Sequence, residues 1–242
     1  MTRPGLGLIL LLVALLGASD LRGEPAEEAE MAGDLARAGY LYELEGDPEG
    51  VSRIRCRLLE EALYAGHVNR AQTLISELWG MGVPDALVRF WWGRLAWGCG
   101  LPDLAVETLS DPDLLDSFDD EWLRLRSLGL AMLYSGRADS ASELLSRSLE
   151  LAGNGRRMLY SAVDLSIAML QTGRTRDAAD LTRRLCEVFP GEGLALVARG
   201  IALAASDQPS SAFSYWSSVS GSPSTYGAGP ASMALRLMAE LE

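Results

Sequence analysis

The chain has 242 residues, 48% of them apolar, with 33 acidic against 21 basic side chains and a net charge of −12. That much apolar sequence can bury a sizeable core, which excludes a chain disordered over most of its length. The acidic balance excludes the basic footprint that nucleic acid or an anionic membrane surface requires, and the absence of Lys excludes the phosphate-binding P-loop.

The N-terminus reads MTRPGLGLILLLVALLGASDLRGE. One Arg precedes an apolar run from Gly5 to Ala18, and small residues then give way to acidic sequence. This is the pattern of a secretory signal peptide over residues 1–19, cleaved after Ser19, with Gly23 as second choice. The competing reading is an uncleaved anchor, but a span takes about 20 apolar residues. Export to a bacterial periplasm or the extracellular side is therefore expected, with no integral membrane span in the mature chain. Residues 20–48 form an acidic leading segment with one capping helix that ends near Gly46.

From residue 49 to 220 apolar residues recur at intervals of three and four, with breaks at Gly, Pro and Asp, so the chain reads as helix after helix. Two stretches, SGRADSASELL at Ser135 and TGRTRDAADLT at Thr172, share a small residue, a Gly-Arg turn and a following Ala. Aligning on the turn brings in Gly66, Gly100 and Asp207 beside Gly136 and Gly173, at spacings of 34, 36, 37 and 34 residues. A near-constant period is the mark of a repeat array. Gly at the turn supplies a left-handed helix cap, and Asp is among the next best tolerated there. Five residues on come Ala71, Ala105, Ala141, Ala178 and Ala212. Gly93, Gly129, Ser166 and Gly200 stand seven before the turn. The two sets of small residues are expected to face each other and let the paired helices close up.

Within the array, RFWWGRLAW from Arg89 carries the densest aromatics, and SDPDLLDSFDDEW from Ser110 the densest acids. The acidic stretch lacks the central Gly and final Glu of a calcium loop. It reads as an inter-repeat loop in which Asp119 or Asp120 caps the next helix. A lone His67 after a turn cannot build a multi-His metal site. Cys56, Cys99 and Cys186 form no CxxC and read as small buried hydrophobes. No catalytic, cofactor or metal constellation is read from these residues. A helical envelope hydrolase or transferase using Glu60, Asp164 or Glu121 is the weaker enzymatic alternative. After a Gly/Ser/Pro break, residues 221–242 end in an amphipathic segment from Ala231, a terminal cap or a means of self-association.

The turn Gly, the Ala five residues on, the bulky Leu58, Trp92, Leu128 and Leu165 and the later Ile75, Leu109, Leu145 and Trp216 resemble the tetratricopeptide repeat family. Arg199 and Thr182 depart from its apolar pattern. The resemblance implies an all-α, right-handed α-solenoid of about five helix–turn–helix repeats with flanking caps. It also implies a protein–protein interaction scaffold whose first helices line a concave groove for a peptide or helix. Carried onto this chain, the groove residues are Tyr64, Phe90, Arg94, Trp97, Arg126, Tyr134 and Tyr160, with Trp92 on the packing side. An apolar groove with isolated charges implies an amphipathic helix or extended apolar peptide as partner.

Overall fold

The computed structural model describes residues 25–117 and 120–220. The signal-peptide reading and the C-terminal amphipathic segment lie outside them. Every regular element among the described residues is a helix: α1 (Ala26–Met31), α2 (Leu35–Glu45), α3 (Pro48–Tyr64), α4 (Val68–Gly80), α5 (Asp85–Gly98), α6 (Pro102–Leu109), α7 (Pro112–Ser117), α8 (Glu121–Tyr134), α9 (Ala138–Leu151), α10 (Arg156–Gln171), α11 (Thr175–Val188), α12 (Gly193–Ala204) and α13 (Pro209–Ser220). No described helix is long and apolar enough to cross a membrane.

The chain divides between Cys99 and Gly100 into two compact units. In the first, α1 to α5 pack each on the next. In the second, α6 packs on α8, and α8 to α13 pack each on the next, with α8 also touching α10 and α10 touching α12. The unit boundary falls inside the second sequence repeat, at its turn.

The turns are made as the repeat requires. Gly66, Gly100, Gly136 and Gly173 have φ of 70°, 77°, 80° and 75°, and Asp207 takes the same left-handed conformation at 57°. The amides of His67, Arg137, Arg174 and Gln208 donate back to the carbonyls of Ala62, Met132, Met169 and Leu203 at 2.8–3.0 Å. These are the six-to-one bonds of a Schellman cap, which satisfy carbonyls that the ending helix leaves open. All five following Ala residues are fully buried.

The small position seven before the turn does not face that Ala. A methyl group added at Gly129 would lie 2.8 Å from Leu145 Cγ, and one at Gly200 would run into the Trp216 indole. The first helix is therefore notched to receive the bulky residue of the second, and the pair closes by interlocking rather than by two small faces. Thr182 occupies that bulky place in the fourth repeat without exposing a polar atom. It is fully buried and its hydroxyl donates to the Ala178 carbonyl at 2.8 Å.

Two local readings are corrected. The single leading helix is two helices, α1 and α2, broken at Gly33, whose φ is 82°. Asp34 then caps α2 by accepting from the Arg37 amide at 3.1 Å. The acidic stretch after Ser110 is not only loop, because Pro112 starts the six-residue α7. Asp120 does cap α8, accepting from the Leu123 amide at 3.1 Å.

The arginines of the Gly-Arg turns tie neighbouring repeats together. Arg137 pairs with Asp103 at 3.2 Å, and Arg174 donates to the Ser142 hydroxyl at 3.5 Å while pairing with Asp177 at 2.9 Å.

Candidate protein-binding surface

Six of the seven residues assigned to a groove fall into three kinds of environment. Phe90 is fully buried, with its ring edge-on to Trp91 at 5.3 Å between centroids. It is core and offers a partner no surface. Trp92, expected on the packing side, is instead 38% exposed. The reason is that α5 buries Ala86, Val88, Phe90, Trp91, Gly93, Arg94, Leu95 and Ala96, which together cover most of its circumference. A helix buried on so many sides has no single apolar face for a positional rule to find.

Arg94 and Arg126 are buried and engaged. Arg94 lies 5.0 Å over the Trp91 ring and donates to Glu60 at 3.4 Å. Arg126 donates through Nε to Asp164 Oδ2 at 2.6 Å, and its guanidinium lies 5.7 Å from the Trp122 ring and 5.0 Å from that of Tyr160. The surrounding polar groups are satisfied in turn. Trp122 Nε1 donates to the Ser161 hydroxyl at 2.9 Å, and Ser161 bonds Ser148 at 2.9 Å. At the rim, Arg157 stacks over Trp122 at 4.6 Å and pairs with Asp120 at 2.8 Å. Burial pushes the Asp164 carboxyl above its ordinary pKa, and the adjacent Arg126 guanidinium works against that shift.

Tyr134, Trp97 and Tyr160 are the reachable members. Tyr134 is 65% exposed at the end of α8, and Trp97 and Tyr160 are half-buried. Tyr64 closes α3, and its side chain lies outside the described set.

The carboxylates of the enzymatic alternative are each held by arginine: Glu60 by Arg94, Asp164 by Arg126, and Glu121 by Arg147 at 3.3 Å and Arg124 at 3.9 Å. The pairs with Arg94, Arg126 and Arg147 each join two helices, α3 to α5, α10 to α8 and α8 to α9, which is a structural use of the charges. His67 starts α4 as an exposed residue with no cap bond from its side chain. The cysteines are not fully buried as expected: Cys99 is exposed, and Cys56 and Cys186 are half-buried, with burial raising both thiol pKa values.

Sequence reading missed two arginine clusters of the first unit. Arg55 bridges Glu43 at 3.0 Å and Glu77 at 2.9 Å, tying α2 and α4 across α3 beside a cleft of about 450 Å³. Arg53 and Arg57 converge on Glu30. Neither cluster has a local signal, because the partners are 12 to 27 residues apart.

No protein-family model matches the sequence, and no curated protein matches it. Solved structures do. PilW, a widely conserved type IV pilus biogenesis factor, aligns with a TM-score of 0.60 at 16% identity, over 84% of this chain and 92% of that one. The MamA RS-1 ArsTM double mutant aligns with a TM-score of 0.50 at 13% identity, over 69% of this chain and 91% of that one. YrrB, a TPR protein with an unusual peptide-binding site, reaches 0.47 at 14% identity, over 68% and 82%. The likeness is one of fold: the chain is an all-α array of tetratricopeptide-type helix pairs.

Proposed function

We propose that the protein is an exported, non-catalytic scaffold that holds a peptide or helix of a partner protein, as part of a cell-envelope assembly. The observation that carries this reading is the exposure of Tyr134, with Tyr160 half-exposed, on first helices of the second unit's tetratricopeptide-type helix pairs. Large aromatic side chains anchored on rigid helices are the usual hot spots of protein recognition. The buried Arg126 stands behind them as a support, with its guanidinium against the Tyr160 ring. The signal-peptide pattern supports export. The fold match to a type IV pilus biogenesis factor is consistent with an envelope role.

The test is affinity capture from the native envelope with the chain starting at Asp20, beside a Tyr134→Ala/Tyr160→Ala variant of unchanged melting temperature. A specific envelope protein held by the first bait and lost from the second is the expected result. A protein held equally by both, or none held by either, overturns the assignment. Fractionating cells and sequencing the N-terminus of the mature protein checks export separately.

A further inference from the structure

A second site is built into the first unit, and nothing in the groove reading uses it. The Glu30 carboxylate on α1 receives hydrogen bonds from three side chains of two other helices. Tyr42 donates at 2.9 Å from α2, and Arg53 Nη2 and Arg57 Nη1 donate at 3.0 Å each from α3. Arg53 and Tyr42 also hold each other. The guanidinium sits 5.2 Å over the phenol ring and donates to its oxygen at 2.9 Å. The donors are thus positioned by their own contacts, with the Tyr42 body buried at 3% exposure while the Arg53 and Arg57 side chains remain 51% and 44% exposed. They line an open cleft of about 470 Å³ with Glu27 and Met31.

The element that fills this site is slight. α1 has six residues, its first amide, that of Ala26, donates to Glu45 Oε1 at 3.2 Å, and an isolated helix shorter than about 12 residues is marginal in water. Only Ala26 and Ala29 bury their side chains, Met31 is 80% exposed, and the joint to α2 is Gly33 in the left-handed conformation. Two methyl groups contribute little burial, so the charge-assisted bonds, three to Glu30 and one from the Ala26 amide to Glu45, carry most of the docking.

We propose that Tyr42, Arg53 and Arg57 form a carboxylate cradle for a short acidic helix of a partner protein, and that α1 is a resident occupant which such a helix displaces. The occupant's own sequence defines the ligand chemistry: two small residues three apart, which fit against α2 and α3, followed directly by Glu. α1 masks the cradle until a longer helix with the same three features outcompetes it.

The test uses the full chain and, as probe, a fluorescent peptide of residues 25–34, PAEEAEMAGD. Glu30→Ala in the protein should expose amides of α1 to hydrogen exchange while α3 stays protected. It should also tighten peptide binding at least about tenfold over the unaltered chain, the size expected for a charged hydrogen-bond set. Adding Arg53→Met or Arg57→Met, or replacing the Glu of the peptide that corresponds to Glu30 by Gln, should remove that gain. Peptide that binds no variant, or binds regardless of Arg53 and Arg57, overturns the proposal. So does an α1 that stays protected in the Glu30→Ala chain. A concentration-dependent dimer of the unaltered chain lost on Glu30→Ala would mean that a second copy supplies the helix, which overturns the partner reading. None of these outcomes bears on Tyr134 or Tyr160.

Discussion

Among the described residues each unit has one buried arginine that joins two first helices, and the two pairs are built very differently. In the first unit Arg94 lies over Trp91 and meets Glu60 at 3.4 Å, and the Glu60 side chain is 37% exposed. In the second, Arg126 and Asp164 meet at 2.6 Å with side chains 7% and 12% exposed, between Trp122 and Tyr160. The sequence letters, an Arg on one helix and an acid on its neighbour, are the same. What differs is access to water, and that decides what the loss of the arginine means. Glu60 can fall back on solvent, whereas Asp164 would be left as a buried charge.

Substituting each arginine sharpens this contrast. Arg126→Met should cost about 3–5 kcal/mol of unfolding free energy in urea titrations, the range for breaking a buried pair from one side. Arg126→Met/Asp164→Leu should recover most of that loss, ending within about 1.5 kcal/mol of the starting chain, because no charge then remains to be desolvated. A double variant no better than the single would show that the Trp122–Ser161–Ser148 bonds, not the ion pair, hold α8 to α10. Arg94→Met should cost about 1 kcal/mol or less, since a half-exposed partner is largely rehydrated. An equal cost for Arg94 and Arg126 would erase the comparison.

Acid provides the smallest and most local test. The two Arg53 and Arg57 guanidinium groups on α3 and the Tyr42 hydroxyl on α2 hold Glu30 down at a pKa of about 2, against an ordinary value of 4.5. A depressed carboxylate contributes stability that is complete above the ordinary value and lost as pH falls through the folded one. Protection of α1 should therefore fade between pH 4.5 and about 2. Asp164 has the opposite sign: its raised pKa means that protonation relieves a desolvated charge, so acid should not loosen α8 from α10 through this group. Hydrogen exchange followed by helix would separate the two.

The array itself was readable because its signals are local. A turn Gly and an Ala five residues later specify a cap and a close packing position, whatever lies elsewhere in the chain. Asp207 could be placed at a turn on the same grounds. The candidate surface was less readable. Whether Phe90 or Trp92 points outward depends on how many helices surround α5, and that is decided by elements distant in sequence. The break at Gly33 was visible as Gly followed by a capping Asp34, yet the acidic composition around it looked like one helix. Glu30 carried no signal at all, since its worth lies in Arg53 and Arg57, which only the fold brings within reach.

The turn arginines have a mechanical consequence. Arg137 and Arg174 each clip the start of a second helix to the second helix of the repeat before. Pulled from its C-terminal end, the second unit should therefore yield in steps, each releasing one clip and one notched helix pair. The stretch from Gly136 to Gly173 is 37 residues, so each step should lengthen the chain by about 120 Å at full extension.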